Sequence, residues 1–155
     1  MQQPLVSICI PTHNRLKLLK EAVKSAINQT YKNIEIIISD NSDDNLTNYY
    51  VKTIQDKRIR YHKNTSKNIS AFQNVDKIAH LAKGKYISFL DSDDAWYSNK
   101  LEKVIAVLYR YPDIDILSHD LLMVRNNNKK KVLRVGPLSK DMYVALLFKN
   151  RRGTD

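Results

Sequence analysis

The sequence predicts an α/β protein in which a mainly parallel, Rossmann-like sheet carries helices on both faces. Strand-like and helix-like segments alternate from the N-terminus onward. Segments such as 34–39 are predominantly apolar without strict alternation, which is typical of strands that are covered on both sides. The helical segments space their apolar residues three and four positions apart, so each can pack one face against a sheet. Alternation of this kind favours parallel strands joined by helical crossovers.

The first five elements follow from apolar periodicity and from the residues that interrupt it. Residues 5–10 form a β-rich run that Pro11 ends, because proline has no amide hydrogen to donate. Apolar residues between 18 and 27 recur at helical spacing. The predicted elements here are strand 5–10, helix 18–27, strand 34–39, a weaker helix 46–55 and a short strand 59–61.

The later elements are predicted in the same way, with a weaker pattern toward the end. A helical stripe at 71–82 stops at Gly84, and strand 85–90 follows it. Asn99 and Glu102 have capping-box spacing, which predicts a helix that ends at Pro112. The remaining predicted elements are strands 115–118 and 132–135 and a final helix 142–148. No repeat or long linker divides the chain, so we expect residues 1–155 to form one domain.

Three polar strings follow predicted strands: PTHN at 11–14, DNSDD at 40–44 and DSDD at 91–94. Parallel strands end at the same edge of a sheet, and ligands of such sheets bind there. The third string, the acidic loop 91–94, holds three carboxylates within four residues, and these repel one another unless a cation neutralises them. Hard oxygen ligands favour Mg²⁺ or Mn²⁺, which is often shared with a substrate phosphate. An acidic turn that caps the next helix is the simpler alternative.

Other kinds of site are excluded by what the sequence lacks. The chain has three glycines, and none follows the first strand, so neither a dinucleotide fingerprint nor a P-loop is present. Phosphate would therefore be held by a metal and side chains, which assigns that task to Asp91 and Asp93. Asp40 could accept hydrogen bonds from a base or a ribose, or act as an acid near a helix N-terminus. Cys9 lies in an apolar run and the four histidines have no ligand spacing, which argues against zinc.

The chain carries a net charge of +10, from 26 Lys and Arg against 16 Asp and Glu. Such an excess attracts nucleic acid, an anionic membrane leaflet or a nucleotide diphosphate. A specific nucleic-acid partner is not expected, because the basic residues are not interleaved with aromatics and the predicted site is acidic. Peripheral contact with an anionic membrane stays open. A single cysteine permits no disulfide framework, so we expect a reducing, cytoplasmic location without a signal peptide or spanning helix.

The strings around these polar clusters resemble those of family 2 glycosyltransferases. VSICIPTHNR at 6–15 resembles the opening of the family, with His13 where tyrosine is usual. EIIISDNSDD at 35–44 is similar to its second strand and acidic turn, and AKGKYISFLDSDDAW at 82–96 to its approach to the D-x-D motif. NKLE at 99–102 continues the likeness. The order and spacing of these strings over residues 4 to 120 make the resemblance specific.

The resemblance implies a GT-A fold, a nucleotide-diphosphate sugar donor (a UDP-sugar foremost), Mn²⁺ or Mg²⁺, and a glycan or lipid-linked acceptor. Carried over by position, Asp40 would contact the base, and Asp93, with Asp91, would hold the metal. The residues implied to surround the donor are Pro11, Thr12, Asn14, Asp40, Asp91 and Ser92.

Two departures from the family pattern qualify what the resemblance implies. The segment KNTSKNIS at 63–70 has no glycine where the family has one, and Lys67 or Asn68 is the candidate for the donor contact made there. No candidate for the acceptor-activating carboxylate of inverting members occurs in the last thirty residues. We therefore expect the C-terminally truncated donor-binding part of an inverting enzyme, with its catalytic base outside residues 1–155. A nucleotide-binding module without catalysis and a basic nucleic-acid-binding domain are the alternatives.

Overall fold

The computed structural model of the chain describes residues 3–65, 69–124, 130–133 and 147–149. Residues 147–149 are described by their backbone alone. Its four helices in these ranges are α1 (Leu16–Ile27), α2 (Leu46–Lys52), α3 (Ala71–Leu81) and α4 (Lys100–Arg110). The strands are β1 (Val6–Thr12), β2 (Ile34–Asp40), β3 (Ile59–Lys63), β4 (Tyr86–Phe89), β5 (Ile116–Leu117), β6 (Leu121–Val124), β7 (Lys130–Leu133) and β8 (Leu147–Lys149). Across these ranges, no helix is long and apolar enough to cross a membrane.

The main sheet has the strand order β3-β2-β1-β4-β8-β5, which confirms the predicted mainly parallel α/β class. β1 pairs in parallel with β2 and with β4, and β2 pairs in parallel with β3. β8 is antiparallel to both of its neighbours, β4 and β5. β6 and β7 form a separate antiparallel pair.

Hydrophobic clusters lie on both faces of the sheet, as continuous apolar strands require. On one face, Ile8 and Ile36 pack with buried residues of α1 and α4. On the other face, Cys9 and Ile37 pack with Ile78 of α3. All seven residues of β2 are buried, so the strand has no polar side facing solvent. Full burial of one such aliphatic side chain is worth about 1.5–3 kcal/mol.

The predicted final helix over 142–148 is wrong where the structure describes it. Residues 147 and 148 belong to β8, which lies between β4 and β5, and 142–146 fall outside the described residues. A helix-like apolar spacing was overridden there by hydrogen bonding to two neighbouring strands. The predicted strand 132–135 is found as β7 at Lys130–Leu133, with 134 and 135 outside the described ranges.

The predicted capping box at the start of α4 is also wrong. Asn99 occupies the N-cap position, but its side chain caps no amide among the described residues. Glu102 instead accepts a hydrogen bond from Thr30 Oγ1 at 2.7 Å, and Gln29 Oε1 accepts from the amide of Leu101 at 3.1 Å. A capping box does occur at α3, where the Ser70 and Gln73 side chains each bond the other's backbone amide.

A buried polar cluster ties the strands together at the edge where β1 and β4 begin. Ser7 Oγ donates to Glu35 Oε1 at 2.6 Å and accepts from the amide of Gly84 at 2.8 Å. Glu35 also accepts from Arg60 Nη1 at 2.7 Å and from the amide of Lys83 at 2.6 Å. Gly84 is required by close approach, since a Cβ there would lie 2.6 Å from the Ser7 nitrogen and 2.8 Å from the Leu5 oxygen.

Gly84→Ala is expected to lower the free energy of unfolding by about 1–3 kcal/mol, because the added methyl group would meet backbone atoms that cannot rotate away. Urea unfolding followed by circular dichroism would measure the change. Lys83→Ala is the matched control, since its side chain is exposed and its amide contact to Glu35 is kept. Equal stability of Gly84→Ala and wild type would contradict the close approach.

Glu35 is expected to make stability depend on acid pH. Burial alone would raise the pKa of Glu35, but bonds from Ser7 and the Lys83 amide, and the charge and bond of Arg60, outweigh burial and lower it. Its stabilising contribution is therefore complete above the ordinary glutamate pKa of about 4.3 and is lost as pH falls through the lower folded pKa. Wild type should exceed Glu35→Gln in unfolding free energy at neutral pH, and the gap should narrow in acid. A gap that stays constant with pH would be the contrary result.

Candidate functional site

The structure brings the three polar strings together at the edge where β1, β2 and β4 end. The amide of Asn41 donates to the carbonyl of Thr12 at 2.9 Å, and His13 Nδ1 lies 2.8 Å from the carbonyl oxygen of Asn41. Arg15 Nη1 donates to Asp93 Oδ2 at 2.7 Å, which joins the loop after β1 to the acidic loop 91–94. These contacts are possible because parallel pairing places Thr12 opposite Asp40 and Cys9 opposite Phe89, so that the three strands end side by side.

A cavity of about 470 Å³ opens between these loops and the start of α3. This volume lies within the roughly 300–1,000 Å³ typical of small-molecule sites. Its lining residues are Pro11, Thr12, His13, Arg15, Asn41, Ile69, Ala71, Asn74, Val75, Asp91, Ser92 and Asp93. The acidic side chains come from the loop after β4, whereas the apolar and amide side chains come from the end of β1, the loop after β2 and the start of α3 with the residues before it. A ligand with one charged and one ring-like part would match that division.

Five of the predicted site residues line this cavity: Pro11, Thr12, Asp91, Ser92 and Asp93. Asn14 lies outside the lining and holds the loop instead, donating to Asp43 Oδ2 at 2.7 Å from a left-handed backbone with φ of 51°. Lys67 and Asn68 lie outside the described residues. The donor roles of these residues stay predictions.

Asp40 is completely buried and does not line the cavity. Its carboxylate accepts from the Ser42 amide at 2.8 Å, from the Tyr61 hydroxyl at 2.7 Å and from Lys63 Nζ at 3.3 Å. Burial alone would raise the pKa of Asp40, but bonds from Ser42 and Tyr61 and the charge of Lys63 outweigh burial and lower it. In this structure Asp40 is thus an ionised anchor for the loop after β2. Contact with a base stays a prediction that would require Asp40 to exchange a partner.

The acidic loop concentrates negative charge at the cavity. Burial raises the pKa of Asp91, and the charges of Asp94 and Asp93 raise it further, while Arg15 lowers it. Burial and the charge of Asp93 likewise raise the pKa of Asp94, against the charge of Lys100. Lys100 Nζ lies 3.5 Å from the centroid of the Trp96 ring, and burial lowers the pKa of Lys100 to about 7. Lys100 therefore offsets the charge of Asp94 only in part.

The donor set of the acidic loop fits a hard divalent cation that is shared with a ligand. Asp91 and Asp93 both line the cavity and supply carboxylate oxygens, the ligands that Mg²⁺ and Mn²⁺ prefer. In the part of the chain that the structure describes, no three His, Cys, Asp or Glu residues converge on one point. Two carboxylates leave most of an octahedral shell to water and ligand oxygens, which is the usual arrangement for Mg²⁺ with phosphate.

Two buried polar atoms at the cavity have no hydrogen-bond partner among the described residues. These are Thr12 Oγ1 and Asn41 Oδ1, and both residues line the cavity. The Asn41 side chain is fixed by its Nδ2, which donates to the carbonyl of Ile69 at 2.8 Å, so Oδ1 is left as a free acceptor. An unsatisfied buried polar group costs about 1–3 kcal/mol. A ligand with polar groups at this place would remove that cost.

Sequence reasoning missed Arg15, Asn41 and Asn74 as cavity residues. Asn41 belongs to the second polar string and Arg15 directly follows the first, so both could have been found by extending the site to whole strings and the residue after each. Asn74 is a polar residue on the buried face of α3, where Asn64 Nδ2 donates to its Oδ1 at 2.9 Å and its Nδ2 donates to the Ser39 carbonyl at 3.2 Å. A buried amide inside an apolar helical stripe was the available signal.

Comparison with known proteins supports the family resemblance found in the sequence. A model of glycosyl transferase family 2 matches residues 7–153. The chain is 43% identical over 102 residues to the Escherichia coli UDP-Glc:alpha-D-GlcNAc-diphosphoundecaprenol beta-1,3-glucosyltransferase WfaP, which covers 65% of this chain and 40% of that protein. The chain spans between 16% and 50% of the length of such curated relatives.

Two solved structures share the fold at low identity. S. aureus TarS 1-349 in complex with UDP matches with a TM-score of 0.73 and 17% identity, over 93% of this chain and 46% of that one. The mannosyltransferase PcManGT from Pyrobaculum calidifontis, in complex with GDP-Man and Mn²⁺, matches with a TM-score of 0.66 and 21% identity, over 76% and 36%. The predicted GT-A fold is thereby confirmed. Because the family model spans nearly all of the sequence, this chain belongs to glycosyltransferase family 2.

Proposed function

We propose that this chain binds the nucleotide-diphosphate sugar, a UDP-sugar foremost, from which a glycosyltransferase transfers a sugar to a glycan or lipid-linked acceptor. One observation carries the proposal: a single cavity joins the carboxylates of Asp91 and Asp93 to the two unpartnered polar atoms of Thr12 and Asn41. The name of WfaP, which includes UDP-Glc and a diphosphoundecaprenol-linked acceptor, supports this choice of donor and acceptor. The TarS complex with UDP supports it through a shared fold.

The division of the cavity suggests how the donor lies. Its base and ribose would lie against Pro11, Ile69 and Val75, with Thr12 and Asn41 meeting their polar atoms. A uracil imide N–H is a donor of the kind that Asn41 Oδ1 lacks. The diphosphate would then extend toward Asp91 and Asp93. Ser92 is buried and stands between Asp91 and Asp93 in the sequence; it would come near the ribose.

Asp93 and Asp91 would hold the divalent ion at the diphosphate end of the cavity. When bound, such an ion supplies Lewis-acid and charge stabilisation to the departing nucleotide diphosphate. The chain itself supplies the two carboxylates, the guanidinium of Arg15 and a partly enclosed cavity. The PcManGT structure, a complex with GDP-Man and Mn²⁺, supports a divalent ion in this fold.

We include three further features in this proposal. Transfer with inversion needs a carboxylate base, and we place it outside residues 1–155 because Asp40 is fully hydrogen-bonded and Asp91 and Asp93 serve the ion.

Peripheral contact with an anionic membrane on its cytoplasmic side is favoured by the net charge of +10 and by a lipid-linked acceptor. Residues 1–155 act as one donor-binding domain.

UDP binding is expected to require Mn²⁺ or Mg²⁺, because the diphosphate and the acidic loop 91–94 repel each other without a cation between them. Calorimetry should show UDP binding in Mn²⁺ and its loss in chelator. Asp93→Ala should weaken UDP binding in Mn²⁺ by at least about tenfold. Asp113→Ala, which removes an exposed carboxylate outside the cavity lining, is the control. Equal UDP affinity with and without chelator would contradict the metal role.

Thr12→Val is expected to lower the affinity for UDP without lowering the stability of the fold. The variant loses the hydroxyl that would bond the donor, so UDP affinity in Mn²⁺ should fall by roughly two- to tenfold. The free energy of unfolding should stay equal or rise, because valine removes an unsatisfied buried hydroxyl and keeps the β-branched shape. Thr30→Val, at an exposed residue outside the cavity lining, should leave UDP affinity unchanged. A Thr12→Val protein with wild-type affinity would argue against Thr12 as a donor contact.

A further inference from the structure

Arg15 is held by its backbone at the N-cap of α1, while its side chain turns to the acidic loop. Its carbonyl accepts from the amides of Leu18 at 3.0 Å and Leu19 at 2.9 Å, which fixes the residue at the start of the helix. Its Nη1 donates to Asp93 Oδ2 at 2.7 Å, with the Arg15 and Asp93 side chains 54% and 46% exposed. Both residues line the cavity, so the ion pair is part of its wall.

The ion pair occupies one of the two carboxylate oxygens of Asp93, the residue proposed to hold the divalent ion. Of the described cations, Arg15 acts on Asp93 and Asp91, and Lys100 acts on Asp94. The guanidinium of arginine stays charged at all physiological pH values. Arg15 is therefore the internal counter-charge of Asp93 while no metal is bound. A guanidinium and a divalent ion repel each other, so they compete for that carboxylate.

We propose that Arg15 exchanges Asp93 for the donor diphosphate when the metal binds. The inference rests on the proposed function and adds a residue that couples its two ligands. In the empty protein Arg15 neutralises Asp93; in the loaded protein the ion takes Asp93 and the guanidinium neutralises diphosphate oxygens in the same cavity. An exposed ion pair is worth no more than about fivefold in an equilibrium, so little is lost when it breaks. The planar guanidinium fork suits phosphate oxygens as well as a carboxylate.

This exchange has a thermodynamic signature of two opposite signs. Without nucleotide, Arg15 competes with the ion, so its removal should strengthen metal binding. With nucleotide, Arg15 contributes to diphosphate binding, so its removal should weaken UDP binding in saturating metal. Removal of a residue that only supports the loop would weaken both metal binding and UDP binding. Removal of a residue that acts only through its positive charge would have the same effect as removal of a neighbouring lysine. The two opposite changes would reveal the coupling free energy between metal binding and diphosphate binding that Arg15 supplies.

The test uses the 155-residue chain as wild type, Arg15→Gln, Arg15→Lys and Lys17→Gln. Mn²⁺ binding without nucleotide is followed by electron paramagnetic resonance of the free ion, and UDP binding in saturating Mn²⁺ by calorimetry. Arg15→Gln should bind Mn²⁺ about two- to fivefold more tightly. It should bind UDP roughly tenfold or more weakly, as expected for a lost charge-assisted bond. Arg15→Lys should lie between it and wild type in both measurements.

Lys17→Gln removes the same charge from an exposed position two residues further along the chain and should change neither value appreciably. If Arg15→Gln shows no tightening of Mn²⁺, including no detectable Mn²⁺ binding in either protein, while wild type binds UDP in Mn²⁺, the exchange is refuted and the donor site stands. If Lys17→Gln matches Arg15→Gln, net charge explains the effect and the exchange is also refuted. Wild type that binds neither Mn²⁺ nor UDP would overturn the donor site and the exchange together.

Discussion

Parallel pairing of β1 with β2 and with β4 is the constraint on which the site depends. Thr12 lies opposite Asp40 in the β1–β2 register, and Cys9 lies opposite Phe89 in the β1–β4 register. All three strands therefore deliver their next residues to one edge. β1 can occupy this central place because both of its faces are covered, by α1 and α4 on one side and by α3 on the other. Without that two-sided burial the three polar strings would be separate surface loops.

The two edges of the sheet differ in how completely their polar groups are satisfied. Where β1 and β4 begin, Ser7, Glu35, Arg60 and the Gly84 amide satisfy one another in a closed cluster. At the opposite edge, carboxylates crowd one another and two buried polar atoms have no partner among the described residues. The first edge stabilises the fold. At the second edge, the unsatisfied polar atoms and crowded carboxylates cost free energy that a bound ligand would reduce. Division of this kind is expected of a binding site, since a fully satisfied surface gains little from a ligand.

Asp40, which is buried, and Asp91, which is exposed, show how neighbouring groups decide the role of an aspartate. Hydrogen-bond donors and Lys63 surround Asp40, so its pKa is lowered and its charge is spent on holding the loop after β2. Asp91 has carboxylates for neighbours, so its pKa is raised and its charge is costly without a cation. Both follow apolar strands in the sequence and look alike there. Only the groups that the fold brings around each one distinguish an anchor from a proposed metal ligand.

The sequence by itself determined the α/β class, the order of the first eight elements and the position of the acidic loop. These depend on apolar periodicity, which acts within a few positions along the chain. Two of the expected boundary residues act otherwise: β1 continues through Pro11 to Thr12, contrary to the prediction that Pro11 ends it, and Gly84 is required by its close approach to Ser7 and Leu5. Tertiary structure decided what depends on distant partners. It placed 147–149 in a strand, because β4 and β5 offer backbone hydrogen bonds that local spacing does not reveal. It gave the cap of α4 to Gln29, which is 72 residues from Leu101 in the chain. It paired Arg15 with Asp93 across 78 residues, a contact that exists only because parallel strands end side by side.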